Sequence, residues 1–544
     1  MVVEALARAS TSAVFAIHGV QIDPIFQACA DRGVALVDVR HEASAGFAAE
    51  AYARVTGGVG AAAVCPGPGF TNVLTSIANA HMDRTTVVYV VGSTPAATHE
   101  TNGLQVGLDH VGIATPVAKW ACRVACADHL ARLVAQAIRI ATTPPCGPVL
   151  LDVPADVLAG PIPDVAAAHH AIGVTPAAVG ADDVGRCLDL LASAARPALL
   201  VGHTPSSTGR AALATFVARS GVPCFVGYGA IGALADDDPS YGGTLYQMAR
   251  LPAGDRPDVA LAIGVQFGFD TPGLRDGGVG WGMTVLHVDA DPAEVGRFAP
   301  PGLGLVGAPD AALATIAAVG EWRAWRVRTD WIDAVRAARE RTRAALDAIE
   351  PNDDGRLHPY AAARAVCDAV AATGAVLVGD GAVCKHWLHD ALRLPVGSRY
   401  LTHGRFGCMG AGAGLAIGAS IAAPGRPVVC ATGDGAVGFA IGEFEAMVRH
   451  RLPITVVVMN NARWGASQGF QLRPGGPQRV VGTTLADADY HAVMAAFGGR
   501  GLRVRTLPEL RAALADAMGS ERPACINVST GSSGVAPELP LLNA

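Results

Sequence analysis

Residues 433–461 read GDGAVGFAIGEFEAMVRHRLPITVVVMNN. A carboxylate stands between two glycines, an apolar helical run follows, and a β-branched strand, PITVVVM, closes on two amides. A strand that is apolar throughout is buried on both faces, which calls for a parallel sheet covered by helices on each side. Asparagine is a common turn residue after a strand, and that alone would account for one amide. Asp434 carries more information, because it follows VVCAT and so sits at the carboxyl end of a strand, where open α/β sheets bind their ligands. Gly433 and Gly435 let the main chain approach a phosphate, and the helix that follows directs N–H groups at it. Asn461 comes 27 residues after Asp434, at the end of the next strand, so both side chains can reach one cleft. A carboxylate, an amide and a main-chain carbonyl are hard oxygen ligands suited to magnesium, with a diphosphate and water completing the shell.

The same grammar runs outward through the chain. Apolar strand candidates stand at 34–39, 60–64, 86–92 and 148–154, at 197–202, 222–227, 259–264 and 284–291, and at 375–382, 426–435, 452–461 and 524–529. A Pro, Gly and Ala-rich passage at 158–180 reads as a linker, and the charged helical segment 321–350 leads out of the second unit. The fold expected is α/β: three doubly wound parallel-sheet domains in series, at 1–160, 180–340 and 355–544. The first and third could share a fold without visible sequence similarity.

Composition narrows the function. In 544 residues with 51% hydrophobic content and a mean hydropathy of +0.34, the run to test for a membrane span is FGCMGAGAGLAIGASIAAPG at 406–425. Its six glycines and a proline suit tight internal packing better than lipid. Glu4 interrupts any basic-then-apolar leader, and the chain is read as cytoplasmic. A net charge of −6 without a long basic run makes nucleic acid and anionic membrane poor partners and leaves a small-molecule substrate. Twelve cysteines scattered singly point to reduced thiols, not to a zinc site or a disulfide framework.

A second signal is RHEASAGFAAEAYARVTG at 40–57, where Glu42 follows a strand and opens an Ala-rich helix. Alone, it could be a carboxylate placed against the helix dipole. Taken with residues 433–461, it makes the chain resemble, over almost its full length, the thiamine-diphosphate-dependent enzymes of the acetolactate synthase and pyruvate decarboxylase superfamily. That resemblance implies a pyrimidine-binding, a central and a diphosphate-binding domain, with thiamine diphosphate and Mg2+ as cofactors. Glu42 would hydrogen-bond the aminopyrimidine and promote the tautomer that removes the C2 proton. Asp434 and Asn461 would hold the metal with the main-chain oxygen of Arg463. Gly433, Gly435 and Ala436 would contact the diphosphate.

Within that superfamily HGVQIDPIFQ, RHEASAGFAAEAYAR, ETNGLQVGLD, GEFEAMVRHRLP, NNARWGA and RPACINV resemble the benzaldehyde lyases. By that likeness Gln105 would orient substrate or water, and Met409 would wedge the cofactor into its bent form. Gly407 would offer a carbonyl to the pyrimidine, and Gly381 and Ala382 would line the diphosphate site. The departures fall on the pocket. Gln21 replaces a proton-relaying histidine and cannot change protonation state at working pH, which leaves His18 as the nearest ionisable group in sequence. Ala155 replaces a tryptophan, and Lys385 and His386 stand where a tyrosine and an aliphatic residue are usual; His403 and Ala466 complete the expected pocket. The activity expected is a carbon–carbon lyase or carboligase acting on 2-hydroxy ketones and aldehydes. The alternatives are 2-oxo acid decarboxylation, cleavage of 2-hydroxyacyl-CoA, and, further off, a cofactor-binding protein without catalysis. A homodimer would be the minimal active unit and a homotetramer the expected assembly. No feature compels FAD in the central domain, and the tail GSSGVAPELPLLNA gives little material for a lid over CoA.

Overall fold

The structure, a computed structural model, describes all residues except 99–100, 102, 162–172, 204, 269–270, 272–280, 299, 322, 354, 473–478 and 532–544. Residues 162–172 of the expected linker and nearly all of the C-terminal tail lie outside the described residues.

The first sheet contains β1 (Ala13–Ala16), β2 (Ala35–Asp38), β3 (Gly60–Val64), β4 (Val87–Ser93), β5 (Trp120–Arg123) and β6 (Val149–Pro154). Its order is β2-β1-β3-β4-β6-β5, all parallel. The second holds β7 (Pro197–Val201), β8 (Cys224–Val226), β9 (Tyr241–Thr244), β10 (Val259–Ile263), β11 (Thr284–Asp289) and β12 (Leu303–Val306), ordered β12-β11-β10-β7-β8-β9. Read from its other edge this is the 3-2-1-4-5-6 order of dinucleotide-binding folds, with the order reversing between β7 and β10. A short antiparallel pair, β13 (Asn352–Asp353) and β14 (Arg356–Leu357), precedes the third domain.

The third sheet is built from β15 (Val376–Gly379), β16 (Arg399–Thr402), β17 (Val428–Gly433), β18 (Ile454–Asn460), β19 (Arg500–Val504) and β20 (Ala524–Ser529). Its order, β16-β15-β17-β18-β20-β19, repeats that of the first sheet strand for strand. The first and third domains therefore share a topology. The inner strands are buried along nearly their whole length, as continuous Val, Leu, Ile and Ala runs require.

The two matching domains meet through equivalent helices, Glu42–Thr56 after β2 and Ala411–Ala422 after β16. A side-chain carbon at Gly414 would lie 2.8 Å from the Ser44 carbonyl, and one at Gly418 would lie 2.0 Å from that of Ala48. Only glycine lets the backbones come this close. The glycine-rich run 406–425 is thus an internal packing surface, and among the described residues no helix is long and apolar enough to cross a membrane. One hydrophobic cluster joins the domains, with Phe47, Phe70 and Tyr89 from the first and Ile417, Met447 and Val456 from the third. This contact fixes where Glu42 sits relative to the third domain.

Candidate active site

Two copies of the same tetrapeptide stand where the sequence places the diphosphate half of the site. GDGA follows β15 at 379–382 and closes β17 at 433–436. Gly381 (φ +81°) brings the turns together, a side-chain carbon there falling 3.3 Å from Cβ of Ala436, while the same position at Gly433 opens onto free space. Asp380, 2% exposed, accepts main-chain N–H bonds from Gly381 at 2.7 Å, Gly410 at 3.2 Å and Gly412 at 3.0 Å. Its carboxylate fastens the loop carrying Gly407 and Met409 to the first GDGA turn. Sequence reasoning passed over Asp380, although the repeated GDGA was the available signal.

Asp434 is buried and its Oδ2 accepts the N–H of Arg463 at 3.0 Å. Burial pushes its carboxyl up to about 6, against the pull of main-chain N–H groups of Arg463, Gly435 and Asn461. The two asparagines that end β18 differ. Asn460 is structural: its Nδ2 donates to Asp487 at 3.2 Å and to the Ala488 carbonyl at 3.1 Å, and its Oδ1 accepts from Ala462. Asn461 leaves Oδ1 sealed from solvent with no hydrogen-bond partner among the described residues. A buried amide oxygen without a donor costs about 1–3 kcal/mol, a cost that a divalent cation would remove. Asp434, the orphaned Asn461 oxygen and nearby main-chain carbonyls fit a magnesium–diphosphate pair. Among the described residues no group of three His, Cys, Asp or Glu side chains could hold a metal otherwise.

The pyrimidine half lies at the carboxyl ends of the first sheet. His41 caps the helix Glu42–Thr56, its Nδ1 accepting the N–H of Ala43 at 3.1 Å. Glu42 Oε2 accepts from Asn72 Nδ2 at 2.9 Å, a partner that sequence reasoning missed. The Glu42 Oε1 faces Gly69, where a side-chain carbon would stand 3.5 Å away. Gln21 Nε2 donates to Gln105 Oε1 at 2.9 Å. Gln105 adopts φ +62° and packs on Gly67, two residues before the Gly69 that faces Glu42, so the Gln21–Gln105 pair and Glu42 stand on the same short turn. His18 points elsewhere: its Nε2 lies 3.2 Å from Asp23, its ring meets Phe26 edge-on at 5.0 Å, and its side chain is 57% exposed.

The expected pocket residues fall in different places. Ala155 heads a short helix, Ala155–Ala159, directly after β6, and Ala466 is half-buried in the helix Gly465–Gln471. Lys385 and His386 are buried in the helix Ala382–Ala391, facing the central domain. Lys385 Nζ lies 6.0 Å from the Tyr228 ring, and His386 meets Tyr246 edge-on at 6.0 Å. His403 is buried as well, and burial, then the Lys385 charge, pushes its imidazole down to about 3, so it is neutral at physiological pH. Met409 and Phe439 are left 40% and 61% exposed at the mouth of the diphosphate half.

A separate cavity of about 750 Å³ opens at the carboxyl ends of β7, β8 and β10, at Gly202, Gly227 and Gly264. Five arginines line it: Arg54 and Arg84 from the first domain, Arg210 from the central one, Arg399 and Arg405 from the third.

The comparisons agree with this geometry. The descriptions "Thiamine pyrophosphate enzyme, N-terminal TPP binding domain", "central domain" and "C-terminal TPP binding domain" match residues 1–113, 184–316 and 362–528. A probable acetolactate synthase of Mycobacterium bovis is 32% identical over 99% of this chain and 96% of its own. Oxalyl-CoA decarboxylase of Escherichia coli is 29% identical over 97% of this chain and 94% of its own. Human 2-hydroxyacyl-CoA lyase 2 is 28% identical over 90% and 82%. The chain belongs to the thiamine-diphosphate-dependent enzyme family, whose cofactor is thiamine diphosphate, normally with Mg2+.

Proposed function

We propose that the chain is a thiamine-diphosphate- and Mg2+-dependent carbon–carbon lyase or carboligase acting on 2-hydroxy ketones and their component aldehydes. Bound thiamine diphosphate supplies the electron sink that lets the bond between a carbinol carbon and the adjacent carbonyl carbon break or form. Asp434, Asn461 and the Arg463 carbonyl hold the metal. The turns carrying Gly381, Ala382, Gly433, Gly435 and Ala436 hold the diphosphate, while Gly407 and Met409 support the rings. Glu42 takes and returns a proton at the pyrimidine. Gln21 and Gln105 hold the substrate oxygen, and His18, turned from Asp23, moves the hydroxyl proton. Ala155, Lys385, His386, His403 and Ala466 set the substrate range.

The observation that carries this reading is the Gln21–Gln105 pair beside Glu42. The hydrogen-bonding groups there, Gln21, Gln105 and Asn72, are neutral amides, which suit a carbonyl and a hydroxyl. A 2-oxo acid would ask for a cation against its carboxylate, and Lys385, the cation among the expected pocket residues, is buried toward Tyr228 of the central domain instead. The test is a panel of acyloins, 2-oxo acids and 2-hydroxyacyl-CoAs on enzyme loaded with cofactor and magnesium. The expected product is aldehyde from an acyloin; carbon dioxide from a 2-oxo acid as the main product would overturn the reading.

The arginine-lined cavity favours a second reading, cleavage of a 2-hydroxyacyl-CoA, since Arg210, Arg399 and Arg405 would match a CoA diphosphate, Arg54 and Arg84 being already paired with Glu50 and Asp289. Two relatives carry CoA in their names. FAD would fit the same cavity, and a visible absorption spectrum separates the two. The twelve free thiols suit a reducing, cytoplasmic setting.

A further inference from the structure

Glu443 stands in the middle of residues 433–461, and neither the metal site nor the strand accounts for it. It is 1% exposed at the start of the helix Glu443–Arg449, and a buried carboxylate needs donors. It finds them in the first domain. Its Oε1 and Oε2 accept the main-chain N–H of Arg40 at 3.2 and 3.1 Å, and the Ser44 hydroxyl and the His41 N–H stand near enough to favour its charged form. These three residues bracket Glu42. Around them His450 bonds the Asp38 carbonyl at 3.0 Å, Arg449 pairs with the Asp38 carboxylate, and Arg40 lies 3.8 Å from Glu445.

The first domain in turn holds the loop ahead of the other interface helix, from the far end of a helix. In the helix Pro68–Met82, which follows β3 as Asp434 follows β17, Asn79 Oδ1 accepts from the Cys408 thiol at 3.2 Å. Asp83, directly after that helix, accepts the Gly404 N–H at 3.0 Å. Each domain thus reaches across the boundary and grips the loop ahead of the other's interface helix. One of those loops carries Glu42 and the other carries Gly407 and Met409.

We propose that Glu443 is a positioning residue for Glu42, fixing from the third domain the main chain of residues 40–44 so that the Glu42 carboxylate is aimed at its partner. The proposal rests on the reading of Glu42 as the group that acts on the pyrimidine. The test compares Glu443→Gln, Glu443→Asp and Ser44→Ala with Glu42→Gln. Amide hydrogen exchange is measured on cofactor-free enzyme, and kcat, KM and cofactor affinity on loaded enzyme.

Glu443→Gln turns an NH2 toward donors and should raise exchange at residues 40–44 about tenfold while leaving residues 433–436 unchanged. Misaiming a catalytic group without removing it should lower kcat about tenfold, with KM and cofactor affinity within about twofold. Glu443→Asp should recover part of both losses, and Ser44→Ala should move both readouts in the same direction by less. Unchanged exchange and kcat in Glu443→Gln, beside a crippled Glu42→Gln, would overturn the positioning role alone. Normal turnover in Glu42→Gln would overturn the reading beneath it. If Glu443→Gln does not fold, the Asp and Ala variants decide: a rise in exchange spread along the whole helix, with cofactor lost, would mark Glu443 as general scaffolding.

Discussion

Glu42 and Asp434 are both carboxylates that open a helix after a parallel strand, yet their surroundings set them to different tasks. Glu42 is half-exposed, with an amide on one oxygen and a glycine-lined groove before the other. Asp434 is buried among main-chain N–H groups beside an amide oxygen that has no donor. Glu42→Gln should therefore keep cofactor and lose on the order of 10²-fold in turnover, the scale of general acid–base effects. Asp434→Ala and Asn461→Ala should lose magnesium and cofactor together, which metal analysis and cofactor titration would read. Either variant holding stoichiometric cofactor in metal-free buffer would contradict the assignment. Gln21→His should raise cleavage of aromatic acyloins with cofactor affinity intact, and His18→Ala should depress the native reaction; a harmless His18→Ala would leave the proton shuttle unassigned. Asp434 and Asn461 were legible in the sequence because one βαβ unit contains both. Asn72 and Glu443 were not, because their partners lie 30 or more residues away and no local pattern points to them, while Asp380 was signalled only by the second copy of GDGA.

The element on which both halves depend is the helix Glu42–Thr56. Its first turn carries Glu42, and nearly two turns from its end Glu50 is fully buried, accepting from Asn79 at 2.8 Å and Arg54 at 3.3 Å. Arg54 in turn donates to the Thr402 carbonyl at 2.9 Å, just ahead of His403. Burial, then the Asp83 charge, pushes the Glu50 carboxyl up to about 7, well above its ordinary value. Between those values the folded chain binds more protons than the unfolded one, so this group's contribution is present at low pH and lost as pH rises through about 7. Thermal melts of Glu50→Gln should accordingly vary less than the parent between about pH 5 and 8, and a parent that gains stability over that window relative to the variant would refute this. Strands show the limits of sequence reading at this scale. The ones missed were β5, β9, β12, β16 and β19, all sheet edges, together with the short inner β1 and the two-residue pair β13 and β14. An edge strand has a neighbour on one side only and tolerates polar residues, as RGLRV in β19 and YGGT in β9 show. The apolar runs that do announce themselves are buried on both faces, with the edge strand β2 as the exception.

At the scale of the whole molecule, a single chain leaves apolar groups exposed around both half-sites. Val20 and Leu104 are 82% and 84% exposed near the pyrimidine half, and Phe439 and Met409 stand open at the diphosphate half. Apolar surface of this kind, gathered around polar site loops, marks a contact face. The expected assembly is a homodimer in which the two half-sites close on one another, and a tetramer beyond it. Sedimentation of the loaded enzyme should show no active monomer, and full activity in a monomeric fraction would refute this. The measurement that bears most directly on the central claim is product analysis with purified enzyme, first stripped and then reloaded with thiamine diphosphate and Mg2+. Given benzoin or an aliphatic acyloin, the reloaded enzyme should release the component aldehydes, and the stripped enzyme and the Glu42→Gln variant should not. Acyloins left intact by reloaded enzyme, while a 2-oxo acid or a 2-hydroxyacyl-CoA is consumed, would contradict it.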